Sequence, residues 1–396
     1  MAYINFKEEN HTLKIQLDKR KKNNEKVYNY IVKHKEDMTD YAPDYKYSYN
    51  KMEGEFIGKK GVLDEQDFHN ISNVDIICSR FIDCIFSNVK FINCRIIGCK
   101  FEECKFDAGG VIFENCIFVM DNDVKSPSLN NEVNYSCEFY NCELYCEFRN
   151  SELSYAIFEN CLIKDTFFEI SMLKGTILNT CELNKIRISD CNLSGFKTYK
   201  CYILDFEFDD KYITKLDEKT YFDKLVERKK DRDEYEGIYL TYQNIADEFK
   251  QNTLDNNFGE YYYLCRKIEH KTLDPLPKFV SFLNWAFSGY GERPENALIT
   301  GVILILIFGF IYLFVGLDID NHFVVYNLEK LKHFNIVQFI EDYNESLALS
   351  SGIFLGVGGY SCEPVRLSLL ISSIEMILGT VTVGIGIGAI VRKLVR

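Results

Sequence analysis

Between Val74 and Phe208 the large apolar residues recur every five positions. Ile76, Phe81, Phe86, Phe91, Ile96, Phe101 and Phe106 open the series, and Phe113 and Phe118 continue it after a slip. A segment from Asp121 to Tyr135, rich in Asn, Asp, Ser and Pro, reads as an inserted loop. The register resumes at Phe139 and Leu144, then runs from Phe148 through Leu153, Phe158, Ile163, Phe168, Leu173, Leu178, Leu183, Ile188 and Leu193. Thr198 breaks the column once before Ile203 and Phe208 restore it. Neither the helical nor the strand period divides this pattern, so it is neither an amphipathic helix nor a half-buried strand. A short fixed period marks a solenoid, in which each unit buries its apolar residue by stacking on its neighbours.

The pattern changes after the repeat. Tyr221 to Phe249 and Phe258 to His270 read as two helices separated by the polar run Asn252 to Asn257. Tyr239, Tyr242, Ala246 and Phe249 are expected to face Tyr261, Tyr262, Leu264 and Cys265 in an antiparallel hairpin. This hairpin is either a connector with a sensing role or a pair of helices packed on the solenoid's end. Phe279, Phe282, Leu283, Ala286 and Phe287 then follow an i, i+3, i+4, i+7, i+8 spacing, with Trp285 beside them. That spacing suits a helix lying in a membrane interface. Ala297 to Leu317 carries no charge, and Leu367 to Val391 is interrupted only by Glu375; both are long enough to cross a bilayer. Between them lie Glu341 to Phe354, expected as a short helix, and the loop Gly356-Val357-Gly358-Gly359-Tyr360-Ser361-Cys362-Glu363-Pro364.

Charge divides the chain at the same place. Residues 297–396 carry 8 acidic and 6 basic side chains, which leaves 51 acidic and 40 basic in residues 1–296. An acidic soluble region is a poor partner for nucleic acid or for an anionic membrane surface. Met1 to Asn10 lacks the basic start and apolar stretch of a signal peptide, so the first expected span is the one at Ala297. Lys271, Lys278 and Arg293 precede that span, and Arg392, Lys393 and Arg396 follow the second. The positive-inside rule then puts both termini in the cytoplasm, across a cell (inner) membrane, with the Gly-rich loop toward the exterior.

Twelve of the fifteen cysteines stand two residues before a repeat's large apolar residue, where a compact hydrophobe fits. Spacing set by the repeat does not match the close pairs that zinc needs, and free core thiols point to a reducing compartment. The six histidines are scattered, and there is no serine elbow, H-E-x-x-H or P-loop, so an enzyme and a bound cofactor are not expected.

Two resemblances follow from these residues. The five-residue units, such as Cys142-Glu143-Leu144 and Cys191-Asn192-Leu193, resemble the pentapeptide-repeat family. That resemblance implies a right-handed quadrilateral β-helix of about 20 residues per coil, with six or seven coils. Some members of that family mimic duplex DNA and bind topoisomerases. Here Lys90, Arg95, Lys100, Lys105, Lys164 and Lys174 interrupt the acidic faces and weaken that reading. Residues 297–391 resemble the two-span pore module of the potassium-channel superfamily: outer span, pore helix, filter, inner span. Against the family pattern Thr-Val-Gly-Tyr-Gly-Asp-x-x-Pro, residues Val357, Gly358 and Pro364 coincide. Gly356 stands for Thr, Gly359 for Tyr, Tyr360 for Gly and Ser361 for Asp.

The resemblance implies a selectivity filter of Gly356, Val357, Gly358, Gly359 and Tyr360, with Ser361 and Glu363 at the outer mouth. Gly356 lacks the hydroxyl that closes the innermost site, and Tyr360 lacks glycine's access to positive φ. The permeant ion is expected to be K+, with Na+ as the alternative that the altered filter leaves open. Glu375 is either a cavity-facing cation attractor or a strut hydrogen-bonded behind the filter. Gly379 stands as a gating hinge, and Gly384 with Gly388 as a helix-packing pair.

The expected architecture is multidomain. It comprises a cap over 1–66, a β-helix over 67–210, a helical hairpin linker over 211–275, an interfacial helix over 276–294 and an all-α two-span pore domain over 295–396. One chain has too few spans to enclose a pore, so a homotetramer in a lipid membrane is expected. The competing reading is a membrane-anchored binding scaffold in which the spans only tether; a topoisomerase-binding DNA mimic ranks third.

Overall fold

The computed structural model describes residues 4–37, 42–120, 135–319, 322–327, 335–357 and 362–395. It divides into two compact units, Met1–Thr272 and Leu273–Arg396. Gly358, Gly359, Tyr360 and Ser361 lie outside the described residues, as does most of the inserted loop.

In the first unit the five-residue period becomes a β-solenoid. Parallel pairs join residues 20 apart: Asp75 with Arg95, Arg80 with Lys100, Leu162 with Glu182, Ile177 with Lys197. Four fives therefore make one coil, and the large apolar residues stack in four columns. Column A runs through Ile76, Ile96, Phe118, Leu153, Leu173 and Leu193. Column B runs through Met52, Phe81, Phe101, Phe139, Phe158, Leu178, Thr198 and Phe222. Column C holds Phe86, Phe106, Leu144, Ile163, Leu183 and Ile203, and column D holds Phe91, Phe113, Phe148, Phe168, Ile188 and Phe208. The seven steps of column B, at the spacing of paired strands, make the stack roughly 34 Å long. Rings in a column lie face to face: Phe101–Phe139 and Phe139–Phe158 centroids are 4.7 and 4.6 Å apart, with planes within 7°.

The residues two before each column residue do more than fit. Where these are Cys, Ser or Thr, most side chains donate a hydrogen bond to the carbonyl of a column residue one level earlier. Cys104 Sγ donates to Phe81 O (3.3 Å), Cys142 Sγ to Phe101 O (3.3 Å) and Cys181 Sγ to Phe158 O (3.3 Å). Ser171 Oγ and Thr176 Oγ1 do the same toward Phe148 O (3.1 Å) and Leu153 O (2.9 Å). Small size alone would admit alanine, yet Ser, Thr and Cys dominate because each supplies a donor at a corner. All fifteen cysteines are buried and free.

The break at Thr198 is an exchange of roles. Phe196 fills the core from the small position, while Thr198 is buried in the column and accepts Asp223 N–H at 3.0 Å. At the corner after column D, residues with left-handed backbone form an asparagine ladder: Asn93 to Asn73 (3.2 Å), Asn115 to Asn93 (3.1 Å), Asn150 to Asn115 (2.7 Å). Asparagine tolerates that conformation and links successive levels.

Residues 1–66 contain more than a cap. Helix α1 (Phe6–Lys33) packs on the outside of the stack, beside column B with its first half and beside column A with its second. Leu13 and Leu17 pack with Ile157, Ile177, Tyr199 and Tyr221, and Val27 and Ile31 with Ile77, Cys78, Ile97, Met120 and Tyr135. The first coil follows, with strands at Lys51–Glu53 and Phe56–Gly58.

The hairpin consists of α2 (Arg232–Gln251) and α3 (Asp255–Thr272). The expected helix start at Tyr221 is corrected: Tyr221–Phe222 is the last strand of column B, because Phe222 closes the stack. Ile238, Tyr242, Phe249, Tyr261 and Leu264 share one core with the solenoid, so the hairpin plugs its final level. Tyrosine hydroxyls satisfy the exposed edge. Tyr261 OH accepts Phe222 N–H and donates to Phe222 O, both at 2.8 Å, and Tyr242 OH accepts Leu225 N–H at 2.8 Å. Asn252 bridges Leu216 N and Thr214 O.

The second unit contains α4 (Pro275–Ser288), α5 (Glu295–Val315), α6 (Ile336–Leu355) and α7 (Arg366–Val395). Helices α5 and α7 are long and apolar enough to cross a membrane. A small antiparallel sheet pairs Leu317–Ile319 with both His322–Val324 and Cys362–Pro364. It ties the chain after the loop to the end of α5.

Candidate pore site

Helix α6 fits against α5 through small residues and hydroxyls one turn apart. Ser346 Oγ donates to Gly309 O at 2.5 Å, and Ser350 Oγ lies 3.0 Å from Ile305 O. A methyl group on Gly309 would come within 2.8 Å of Leu347, so glycine is what allows this approach. Helix α6 ends at Gly356, whose left-handed backbone (φ 68°) terminates it as glycine commonly does. Val357 follows, 60% exposed in the single chain.

Glu375 on α7 is fully buried, and two helices meet at its carboxylate. Tyr312 OH of α5 donates to Oε2 at 2.6 Å, and Ser350 Oγ of α6 contacts Oε1. The carboxylate thus braces α7 against α5 and α6 within one chain. Burying a carboxylate within a span is costly unless such donors meet it. Sequence reading missed Tyr312 and Ser350. Their signal was a tyrosine in the last turn of an otherwise apolar span and a serine pair, Ser346 and Ser350, four apart on one helical face.

Gly379 lies one turn below the strut. A methyl group there would fall 2.2 Å from Phe354 O, so α7 passes directly against the backbone at the end of α6. Its smallness has a packing cause independent of any hinge. Gly384 and Gly388 face open space, whereas Gly386 approaches Ala297. Glu363 is exposed on its strand and directly opposite Asp318, which gathers two carboxylates at the end of the unit where the loop emerges.

Helix α4 buries none of its residues. Phe279, Phe282 and Trp285 are 58, 46 and 40% exposed, and Leu283 and Phe287 are half-buried. A left-handed turn at Gly289, Tyr290 and Gly291 leads into α5. Within it the buried Glu292 pairs with Arg392 Nη2 at 3.4 Å, and its carbonyl accepts Lys393 Nζ at 3.2 Å. The last turn of α7 is therefore tied to the turn that precedes α5. Among the described residues no group of three or more His, Cys, Asp or Glu is arranged to hold a metal ion.

No protein-family model matches the chain, and no curated protein matches it. Solved structures of repeat solenoids do. HetL, a pentapeptide-repeat protein involved in heterocyst differentiation regulation in a Nostoc cyanobacterium, is 7% identical with a TM-score of 0.24. The match covers 41% of this chain and 64% of HetL. A trypsin-treated variant of QnrB1, a plasmid-mediated fluoroquinolone resistance protein, is 18% identical with a TM-score of 0.21, covering 41% and 76%. Full-length QnrB1 is 19% identical with a TM-score of 0.17, covering 43% and 92%. The assignment of a β-solenoid built on five-residue repeats rests on the chain's own strand pairing.

Proposed function

We propose that this chain is the subunit of a homotetrameric cation channel in a cell membrane, with K+ as permeant ion and Na+ as the alternative. Its pentapeptide-repeat domain, a right-handed quadrilateral β-helix, regulates the pore from the cytoplasm. The observation that carries the reading is the Glu375 strut. A buried carboxylate joined to both α5 and α6 fixes the inner span behind α6, which at 20 residues starts five earlier than the expected Glu341 and ends at the Gly-rich loop. A span that served only as a tether has no use for that arrangement. The acidic pair Asp318 and Glu363 adds a field favourable to cations beside the loop.

In this reading the carbonyls from Gly356 to Tyr360 line the ion path, and Gly379 lies where the inner span bends. Purified protein in planar bilayers, bathed in K+ on one side and Na+ on the other, should carry current whose reversal potential reports the selectivity. Absence of any cation current, together with a monomer or dimer in detergent, would sink the proposal. Replacing Gly358 with a bulky residue separates channel from scaffold: a channel loses conduction with its fold intact, while a tethered scaffold is unaffected.

A further inference from the structure

Helix α1 has two faces with different chemistry. Leu13, Leu17, Asn24, Val27 and Ile31 are buried against the solenoid. Lys19, Lys22, Lys26 and Lys33 each follow a position of that stripe (17, 20, 24 and 31) by two residues. At 100° per residue this puts them about 200° round the helix, on the outer face. All four are exposed, and they span roughly 21 Å of helix. The helix as a whole carries eight basic and four acidic side chains, although residues 1–296 are net acidic.

The complementary surface is on the same molecule, beyond the helix's own reach. The segment from Ile203 to Asp210 carries Asp205, Glu207, Asp209 and Asp210 and no base. Asp205, Glu207 and Asp209 are exposed. Asp165, Asp205 and Glu207 help line a hollow of about 450 Å³, shared with Lys185 and Arg187. This strip follows columns C and D, whereas α1 packs beside column B through Leu13 and Leu17 and beside column A through Val27 and Ile31. Lys185 pairs with Asp165 at 3.7 Å, so the acidic surface proper is the strip itself, and one chain presents a basic helix face and an acidic strip at different places on the stack.

We infer that the outer lysine stripe of α1 docks on the Asp205–Asp210 strip of a second copy of this chain, a head-to-tail contact that closes as a ring. The inference rests on the tetrameric reading. Head-to-tail contacts generate rings when the rotation closes, and subunits held by a common membrane region meet at high effective concentration. An anionic lipid surface fits α1 less well. A helix that binds membranes inserts an apolar face, and the apolar residues of α1 are occupied by the solenoid.

The test uses full-length protein assembled from a mixture of isotope-labelled and unlabelled chains. A carbodiimide, which joins amines to carboxylates in contact, is applied and the links are mapped by mass spectrometry. Links between labelled and unlabelled chains should join Lys19, Lys22 or Lys26 to residues 205–210, and K19E/K22E/K26E should weaken the oligomer at low salt. Adding D205K/E207K to that variant should restore oligomer stability at low salt, which shows that the charge-reversed protein still folds. A stable tetramer without these links overturns the inference and leaves the channel reading intact. Links in a protein that is not tetrameric support the contact and remove the channel reading. Vesicle binding that needs phosphatidylserine and is lost in the triple variant, with no links formed, overturns the inference in favour of the membrane.

Discussion

At the scale of single residues, the closing level of the solenoid is the most informative place. One tyrosine hydroxyl serves both backbone groups of Phe222 at a fully buried site. Tyr261→Phe keeps the ring but strands an N–H and a C=O, so unfolding free energy should fall by about 1–3 kcal/mol. Denaturant titration would measure this; an unchanged midpoint would show that water replaces the hydroxyl. Nearby, Glu248 is 1% exposed, and burial with Asp210 close by pushes its carboxyl up to about 7, against one hydrogen bond from Asn252. A folded state that holds this proton more tightly than the unfolded chain is favoured below the unfolded pKa. It loses stability as pH rises from about 4.5 to about 7. Glu248→Gln should remove that loss, raising stability at pH 8 by on the order of 1–2 kcal/mol while changing little at pH 4.5. Thermal melts of both proteins at the two pH values decide the matter.

Among the elements, Gly379 separates two causes. If packing alone requires glycine, Gly379→Ala must push α7 away from Phe354 O, and the assembly should lose stability even with no ion flowing. If the residue acts only as the hinge of the proposed channel, the protein should keep its detergent stability and change only its open probability. The contact at 2.2 Å predicts the first result, read by size-exclusion chromatography after heating.

Elements also show where sequence was sufficient. The repeat was legible because every fifth residue answers to one physical demand, burial in a column. The exchange of Phe196 and Thr198 was not, since each residue alone looks misplaced and only the pair makes sense. Helix α1 did carry a signal: positions 13, 17, 20, 24, 27 and 31 alternate spacings of four and three. Arg20 and Asn24 concealed it by filling two of those places with polar side chains. Arg20 is accommodated by the carbonyls of Tyr155 (3.2 Å) and Gly175 (2.7 Å), which no local pattern could announce. The start of α2 was misread because Tyr221 and Phe222 are apolar for a different reason, as the end of a β column. Glu375 was recognised as important, but its partners are 63 and 25 residues away, and only folding brings them together.

At the scale of the whole first unit, α1 changes what kind of object the solenoid is. In a repeat stack each level touches only its neighbours, so the ends can fray independently. Helix α1 contacts Tyr221 of the last level through its first half and Ile77 near the other end through its second. It therefore joins levels that otherwise have no common contact, and turns a chain of nearest-neighbour units into one cooperative body. Under the channel proposal this matters, because an event at any level then moves the whole stack instead of loosening one coil. Ile31→Ala, which removes packing on Ile77 and Ile97, should cost about 2–4 kcal/mol, as for an isoleucine buried in a core. The more specific consequence concerns cooperativity. Hydrogen exchange should become faster in Asp75–Ile97 without a matching change in Leu162–Ser189, because the ends are no longer coupled through the helix. Equal acceleration along the whole stack would mean that the coils are coupled through their own pairing, and that α1 adds stability without adding unity.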